Sequence, residues 1–200
     1  LLRILVEVAE SDSSIGLVGP KMYYFDQPDT IWSAGNLIDW QTGSHVALQI
    51  GEVSNIEDNE RPREVDFITS CALCAKKEVI ARIGLLDPRY FIYYDETDWC
   101  ARAAAAGYGT VYVPSAKIWH KVSSSMGAAS SATTYYMTRN ALLFFSTHLR
   151  GKARLRTLAH ILLRELRTIV AHSFKPEYRH LRKNRDARLL ALRDAVLGHW

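Results

Sequence analysis

Apolar positions follow three rhythms along the chain. Over residues 1–9 they fall on one helical face, and the pattern breaks at Ser11-Asp-Ser-Ser. From Ile15 the runs shorten to strand length. Ile15-Gly-Leu-Val-Gly-Pro reads as a short buried strand and turn, followed by Met22-Tyr-Tyr-Phe, and residues 30–40 read as a hairpin or a pair of short strands. Residues 41–64 are polar and carry Gly43, Gly51 and Pro62, so they read as a long loop with Glu57, Asp58, Glu60 and Glu64 in solvent. Residues 65–75 read as a strand and 77–83 as a short helix closed by Gly84. Residues 110–114 and 116–120 read as short strands flanking Pro114. A Ser-rich turn over 123–131 then leads into a helix carrying residues 135–145. Strands alternating with helices imply an α/β layered domain with a mostly parallel or mixed sheet.

Beyond Gly151 the period becomes continuously helical. Leu155, Leu158, Ile161, Leu162, Leu166, Ile169 and Val170 recur at three and four, with Arg154, Arg156, Arg164 and Arg167 mostly on the other faces. A second amphipathic helix follows Pro176. The chain therefore divides into 1–150, an α/β part, and 151–200, a basic helical extension. Charge reinforces that division: residues 1–149 hold 12 Lys and Arg against 17 Asp and Glu, residues 150–200 hold 13 against 4. A basic segment of that kind wants an anionic partner. Nucleic acid is disfavoured because the segment lacks an aromatic stacking set. An anionic membrane surface suits two basic amphipathic helices, although their apolar stripes can also pack on the protein itself. No apolar run approaches the roughly 18 residues of a membrane span. Cys71, Cys74 and Cys100 make no disulfide scaffold in a chain this long.

The densest chemistry lies at residues 90–102, Tyr-Phe-Ile-Tyr-Tyr-Asp-Glu-Thr-Asp-Trp-Cys-Ala-Arg, where Tyr90, Phe91, Tyr93, Tyr94 and Trp99 surround Asp95, Glu96 and Asp98. The apolar run over 90–94 reads as the floor of a site. Asp95 reads as a helix N-cap with Asp98 in the capping-box position, and Gly107 ends the helix. Carboxylates are favoured at a helix N-terminus by its free amides, so Asp95 and Asp98 also have a purely structural reading. Glu96 has no capping role, and an aromatic wall raises its proton affinity, the environment of a general base. Arg102, four residues after Asp98, forms a helix-surface ion pair in the plainest reading. Cys71, Cys74, Cys100 and His120 contain zinc-type ligands, but a Cys-x-x-Cys inside a strand sends its side chains to opposite faces.

Several ordered segments together carry a resemblance. They are Gly84-Leu-Leu-Asp-Pro-Arg-Tyr-Phe-Ile-Tyr leading into Asp95-Glu96-x-Asp98-Trp99-Cys100-x-Arg102; Val65-Asp-Phe-Ile-Thr-Ser-Cys; Tyr112-Val-Pro-x-Ala-x-Ile-Trp-His120; and Tyr135-Tyr-x-x-Arg139-Asn140. In this order the chain resembles bacterial family 2 glycosyltransferases, the rhamnosyltransferase-like members above all. The resemblance implies a partial GT-A-like (nucleotide-diphospho-sugar transferase) domain with a mixed sheet, followed by C-terminal amphipathic helices. It further implies an inverting transferase that moves a sugar from a nucleotide-sugar donor, dTDP-rhamnose being one, to a cell-envelope polysaccharide or glycolipid acceptor. The catalytic base would be Glu96 or Asp95, since the family's usual Glu-Asp order is inverted here to Asp95-Glu96. Asp98, Trp99, Ser70 and Cys71 would bind the acceptor, with Ser70 replacing the usual Gly; Arg102 and His120 would face the donor phosphates, with His120 also at the metal. The implied cofactor is a divalent metal, Mg or Mn. No Asp-x-Asp after an apolar strand precedes Gly16. The remaining metal ligands are therefore expected upstream of Leu1, and the chain is expected to be an acceptor-side piece that binds nucleotide sugars weakly on its own. A non-catalytic module that binds a glycan or a membrane complex is the alternative. The expected location is cytoplasmic, peripheral on the inner face of the plasma membrane, held by residues 152–197.

Overall fold

The computed structural model describes residues 1–54, 61–122, 127 and 130–200. Glu57, Asp58, Glu60 and Ser123 to Ser125 of the Ser-rich turn lie outside the described residues. In chain order the elements are α1 (Leu2–Glu10), β1 (Ile15–Tyr24), β2 (Ile31–Ser33), β3 (Asn36–Asp39), β4 (Ser44–Ala47), β5 (Arg63–Val65), β6 (Cys74–Ala75), α2 (Lys77–Ile83), α3 (Asp95–Ala105), β7 (Gly109–His120), α4 (Ser131–His148), α5 (Gly151–Phe174) and α6 (Arg182–Leu197). The architecture is mixed α/β, as the alternation of periods predicts, and is compatible with a partial GT-A-like domain. The chain divides into two compact units, Leu1–Ile38 with His45–Asp87 and Asp95–Val122, and Asp39–Ser44 with Pro88–Tyr94 and Ser123–Trp200.

The first unit is built on β1 and β7, which run parallel. Antiparallel β5 continues the sheet beyond β7, while β2 and β6 pair with β1 near opposite ends of that strand. Tyr112 lies in one core with Met22, Ile31 and Ile68, whereas its neighbours Val111 and Val113 lie in another with Leu5 and Ala9 of α1. Adjacent strand residues point to opposite faces, so the two cores cover the two faces of the sheet.

The structure lengthens two strands that the sequence reading breaks. β1 runs through Pro20 and β7 through Pro114 without interruption. The pairing slips from Pro20↔Val113 to Lys21↔Lys117, and Pro114 falls inside that slip. A proline lacks the N–H a regular ladder needs, and a bulge is the place in a sheet where none is required. The expected strand over 65–75 is instead β5, a 3-10 turn at Ser70–Ala72, and β6. β5 ends at Val65, and Phe67 and Ile68 beyond it are both buried. β2 and β3 are not a hairpin with each other, since β2 pairs with β1 and β3 with β4. The loop expected over 41–64 contains β4 and most of β5.

The second unit is helical. α4 carries Phe144, which stacks with Trp40 at the tip of the β3–β4 hairpin, and Phe145, which meets the same ring edge-on. Thr157 of α5 donates to the Trp40 carbonyl at 2.6 Å, and Gly43 lies so close to Ile161 that a Cβ there would stand 2.6 Å from its side chain. Glu165 of α5, nearly buried, receives Arg188 of α6 and Arg164. The apolar stripe of α5 is divided between two uses. Ile161 and Ile169 are buried, while Leu155 and Phe174 are 71% and 81% exposed. No helix among the described residues is long and apolar enough to cross a membrane.

One close approach in the first unit gives a stability test. A Cβ on Gly19 would sit 2.4 Å from Ile68 Cγ2 and 2.9 Å from the Ala72 carbonyl oxygen. Gly19→Ala should lower stability by about 1–3 kcal/mol, read as a shifted denaturation midpoint.

Candidate active site

The site residues named from the sequence all belong to the first unit. α3 begins at Asp95, directly after Tyr94, whose φ of 67° is left-handed. Asp95 is thus the first helical residue rather than a cap outside the helix, a difference of one position. Asp95, Glu96 and Asp98 all lie in the first turn, where free amides and the helix dipole favour negative charge.

Glu96 is 8% exposed and hydrogen-bonded to the Asp95 side chain. Burial, then the hydrogen bond and charge of Asp95, push its carboxyl up to about 8, against its own backbone N–H, which pulls it down. Glu96 therefore holds a proton at neutral pH and donates it toward Asp95, which is half-buried. A carboxyl with proton affinity near neutrality can both take and release a proton under working conditions. The sequence reading anticipates the raised affinity of Glu96. The bonded Asp95 contributes to it, a contribution that sequence reasoning missed.

Cys71, exposed in the 3-10 turn, lies near enough to Glu96 to respond to its charge. Partial enclosure and that carboxylate push its thiol up to about 11. Its sulfur also approaches Met22 Sδ at 3.3 Å. Ser70 beside it is exposed. Cys100, one turn after Glu96, is fully buried, and its thiol is pushed up to about 12, chiefly by burial.

Asp98 and Arg102 form a brace. Arg102 Nε donates to Asp98 Oδ2 at 2.7 Å, and its terminal nitrogens donate to the Ile83 carbonyl at 2.6 Å and the Leu85 carbonyl at 2.9 Å. Trp99 Nε1 donates to the Gly84 carbonyl at 2.9 Å. These three side chains tie α3 to the end of α2, so the ion-pair reading of Arg102 holds and extends to two backbone oxygens. Asp98 is nearly enclosed, with 3% of its side chain accessible.

His120 lies at the far end of β7, its ring tilted over Trp32 with centroids 4.7 Å apart. Next to it, Trp119 stacks on Tyr23 and donates to the Pro28 carbonyl. The structure pairs Glu96 with Asp95 within electrostatic reach of Cys71 and sets Asp98, Trp99 and Arg102 on α3, while His120 ends a strand. Among the described residues no three His, Cys, Asp or Glu side chains converge as metal ligands. His120 alone does not make a divalent-metal site, and Cys71, Cys74 and Cys100 do not make one for zinc.

In sequence the chain is similar to glycosyltransferases. It is 27% identical over 192 residues to the galactofuranosyltransferase GlfT2 of Mycolicibacterium smegmatis, covering 89% of this chain and 29% of that protein. It is 35% identical over 72 residues to the N-acetylglucosaminyl-diphospho-decaprenol L-rhamnosyltransferase of Mycobacterium tuberculosis, covering 36% of this chain and 23% of that one. It is 25% identical over 156 residues to the dTDP-rhamnosyl transferase RfbF of Shigella flexneri, covering 74% and 51%. The chain thus spans less than a third of the length of GlfT2 and about half that of RfbF. No protein-family model matches it.

The raised Glu96 carboxyl has a consequence for stability. Its unfolded value is near 4.5 and its folded value near 8, so the folded protein binds the extra proton between those limits. That contribution is full below about 4.5 and is lost as pH rises through the folded value. Thermal melts of the 200-residue chain should fall from pH 5 to pH 9, and Glu96→Gln should flatten that fall. Parallel curves for the two proteins would contradict the assignment.

Proposed function

We propose that this chain is the acceptor side of an inverting glycosyltransferase, which transfers a sugar from a nucleotide-sugar donor to a glycan or glycolipid acceptor. The observation that carries the reading is the buried Glu96 carboxyl hydrogen-bonded to Asp95, with its proton affinity raised toward neutrality. The glycosyl-transferring relatives support the reaction class, and dTDP-rhamnose is the donor that the name of RfbF suggests.

In the proposed step the acceptor hydroxyl oxygen attacks the anomeric carbon from the side opposite the leaving group. The new glycosidic C–O bond forms as the bond from that carbon to the diphosphate oxygen breaks, and the nucleoside diphosphate leaves with the electron pair. The hydroxyl proton passes to the Asp95–Glu96 pair, with Glu96 as the base. Ser70 and Cys71, both exposed, are proposed to meet the acceptor, whereas Asp98, Trp99 and Arg102 fix α3.

The protein is further proposed to rest on the cytoplasmic face of the plasma membrane through α5 and α6. Leu155, Leu166, Val170 and Phe174 of α5 are exposed alongside Arg154, Arg156 and Arg167. Each basic residue near an anionic surface contributes about 1 kcal/mol, and the exposed apolar side chains enter the interface. Flotation should be strong with phosphatidylglycerol vesicles at low salt and weak at high salt; equal recovery on neutral vesicles would contradict a role for charge.

For catalysis, Glu96→Gln should lower kcat about 10²- to 10⁴-fold in a nucleotide-sugar transfer assay of the intact protein. Wild-type kcat/KM should rise with pH and level off near the folded value of Glu96, because the pair accepts a proton only once it has released its own. A Glu96→Gln protein of full activity would remove Glu96 as the base.

A further inference from the structure

Residues 88–94 form a turn of unusual backbone. Phe91, Tyr93 and Tyr94 have φ of 60°, 63° and 67°, three of the four non-glycine residues with positive φ among the described residues. Ile92 N donates to the Tyr90 carbonyl at 2.7 Å, closing a γ-turn centred on Phe91 in the rarer form with positive φ. None of the three residues is glycine, asparagine or aspartate, the types that adopt this region readily. Such a backbone persists only where its surroundings over-determine it.

Two side chains of α4 do so, and they belong to the same unit as the turn. Asn140, fully buried, sets Nδ2 at 2.8, 2.8 and 2.9 Å from the carbonyl oxygens of Tyr90, Ile92 and Tyr93, which share its two amide hydrogens. Arg139 Nε donates to Asn140 Oδ1 at 2.9 Å, which settles the orientation of that amide. Arg139 Nη2 donates to the Arg89 carbonyl at 2.6 Å and reaches the Tyr90 carbonyl at 3.4 Å. The guanidinium also lies over the rings of Tyr135 and Tyr136. The carbonyls of Arg89, Tyr90, Ile92 and Tyr93 are thus held by two adjacent side chains. The peptide after Tyr94 leads directly into Asp95 and Glu96.

We propose that Asn140 and Arg139 are positioning residues for the Asp95–Glu96 pair, acting through the backbone of the turn. They touch neither carboxyl. Their hydrogen bonds hold a strained conformation that the turn's own residues disfavour, and that conformation sets where α3 begins. This inference rests on the glycosyl-transfer reading above.

The test uses Arg139→Lys and Asn140→Ala in the intact protein, with Glu96→Gln as the reference and Phe91→Gly as the rescue. Lysine keeps the charge of Arg139 but loses the fork that serves Asn140 and the turn carbonyls together. A small displacement of a reacting group costs up to about a hundredfold, so each clamp variant should lose about ten- to a hundredfold in kcat. Donor KM should stay within about twofold, and the Glu96-dependent limb of the pH profile should move. Phe91 is 72% exposed, and glycine adopts its φ of 60° freely. Adding Phe91→Gly should therefore restore a large part of the lost kcat. If Asn140→Ala does not fold, Arg139→Lys alone and with Phe91→Gly decides the matter. Folded clamp variants with wild-type kcat and pH profile overturn the inference, as does a loss that Phe91→Gly leaves unchanged. Full activity of Glu96→Gln would sink the catalytic reading instead, so the two failures are distinct.

Discussion

A carboxyl taken out of water finds a cation or keeps its proton. The side chain bonded to Glu96 is the carboxyl of Asp95, so the proton stays. That constraint shapes what surrounds the start of α3. The helix N-terminus places both carboxyls where amide dipoles soften the cost, and Asp98 is compensated separately by Arg102. A pair holding one proton is a poor device for stability and a good one for proton transfer, which is why the candidate site is assigned here and not to the other acidic groups.

The segments before and after that turn of helix in the sequence are each fixed by polar side chains. Before it, the left-handed backbone at Phe91, Tyr93 and Tyr94 brings the chain to Asp95, held by Asn140 and Arg139. After it, Trp99 and Arg102 fasten α3 to the carbonyls that close α2. Polar side chains answering backbone oxygens recur in both places. An irregular backbone segment keeps one conformation only when its carbonyls have such partners.

Much of this was legible in the sequence, for reasons that differ by element. The helices at the start of the chain, at α3 and beyond Gly151 follow local spacing, and α3 stops where Gly107 follows it. The alternation of strands and helices gave the mixed α/β class. Pro20 and Pro114 misled the strand reading because the bulge that tolerates them depends on how two distant strands register, which no local pattern encodes. The consecutive burial of Phe67 and Ile68 is likewise a tertiary fact. At the site, the type of Glu96 and its enclosure were readable, but the Asp95 hydrogen bond and the three-carbonyl grip of Asn140 were not. Asn140 stood in the sequence only as part of a motif, and its work is visible only once residues about fifty positions apart meet.

The central claim is that the Glu96 carboxyl keeps its proton at neutral pH because it is buried against Asp95. Infrared difference spectra on protein labelled with ¹³C at glutamate side-chain carboxyls, with Glu96→Gln to assign the band, measure this directly. The account predicts a protonated Glu96 C=O band that persists at pH 6 and disappears only as pH approaches about 8. A Glu96 carboxyl already fully ionised at pH 6 would contradict it.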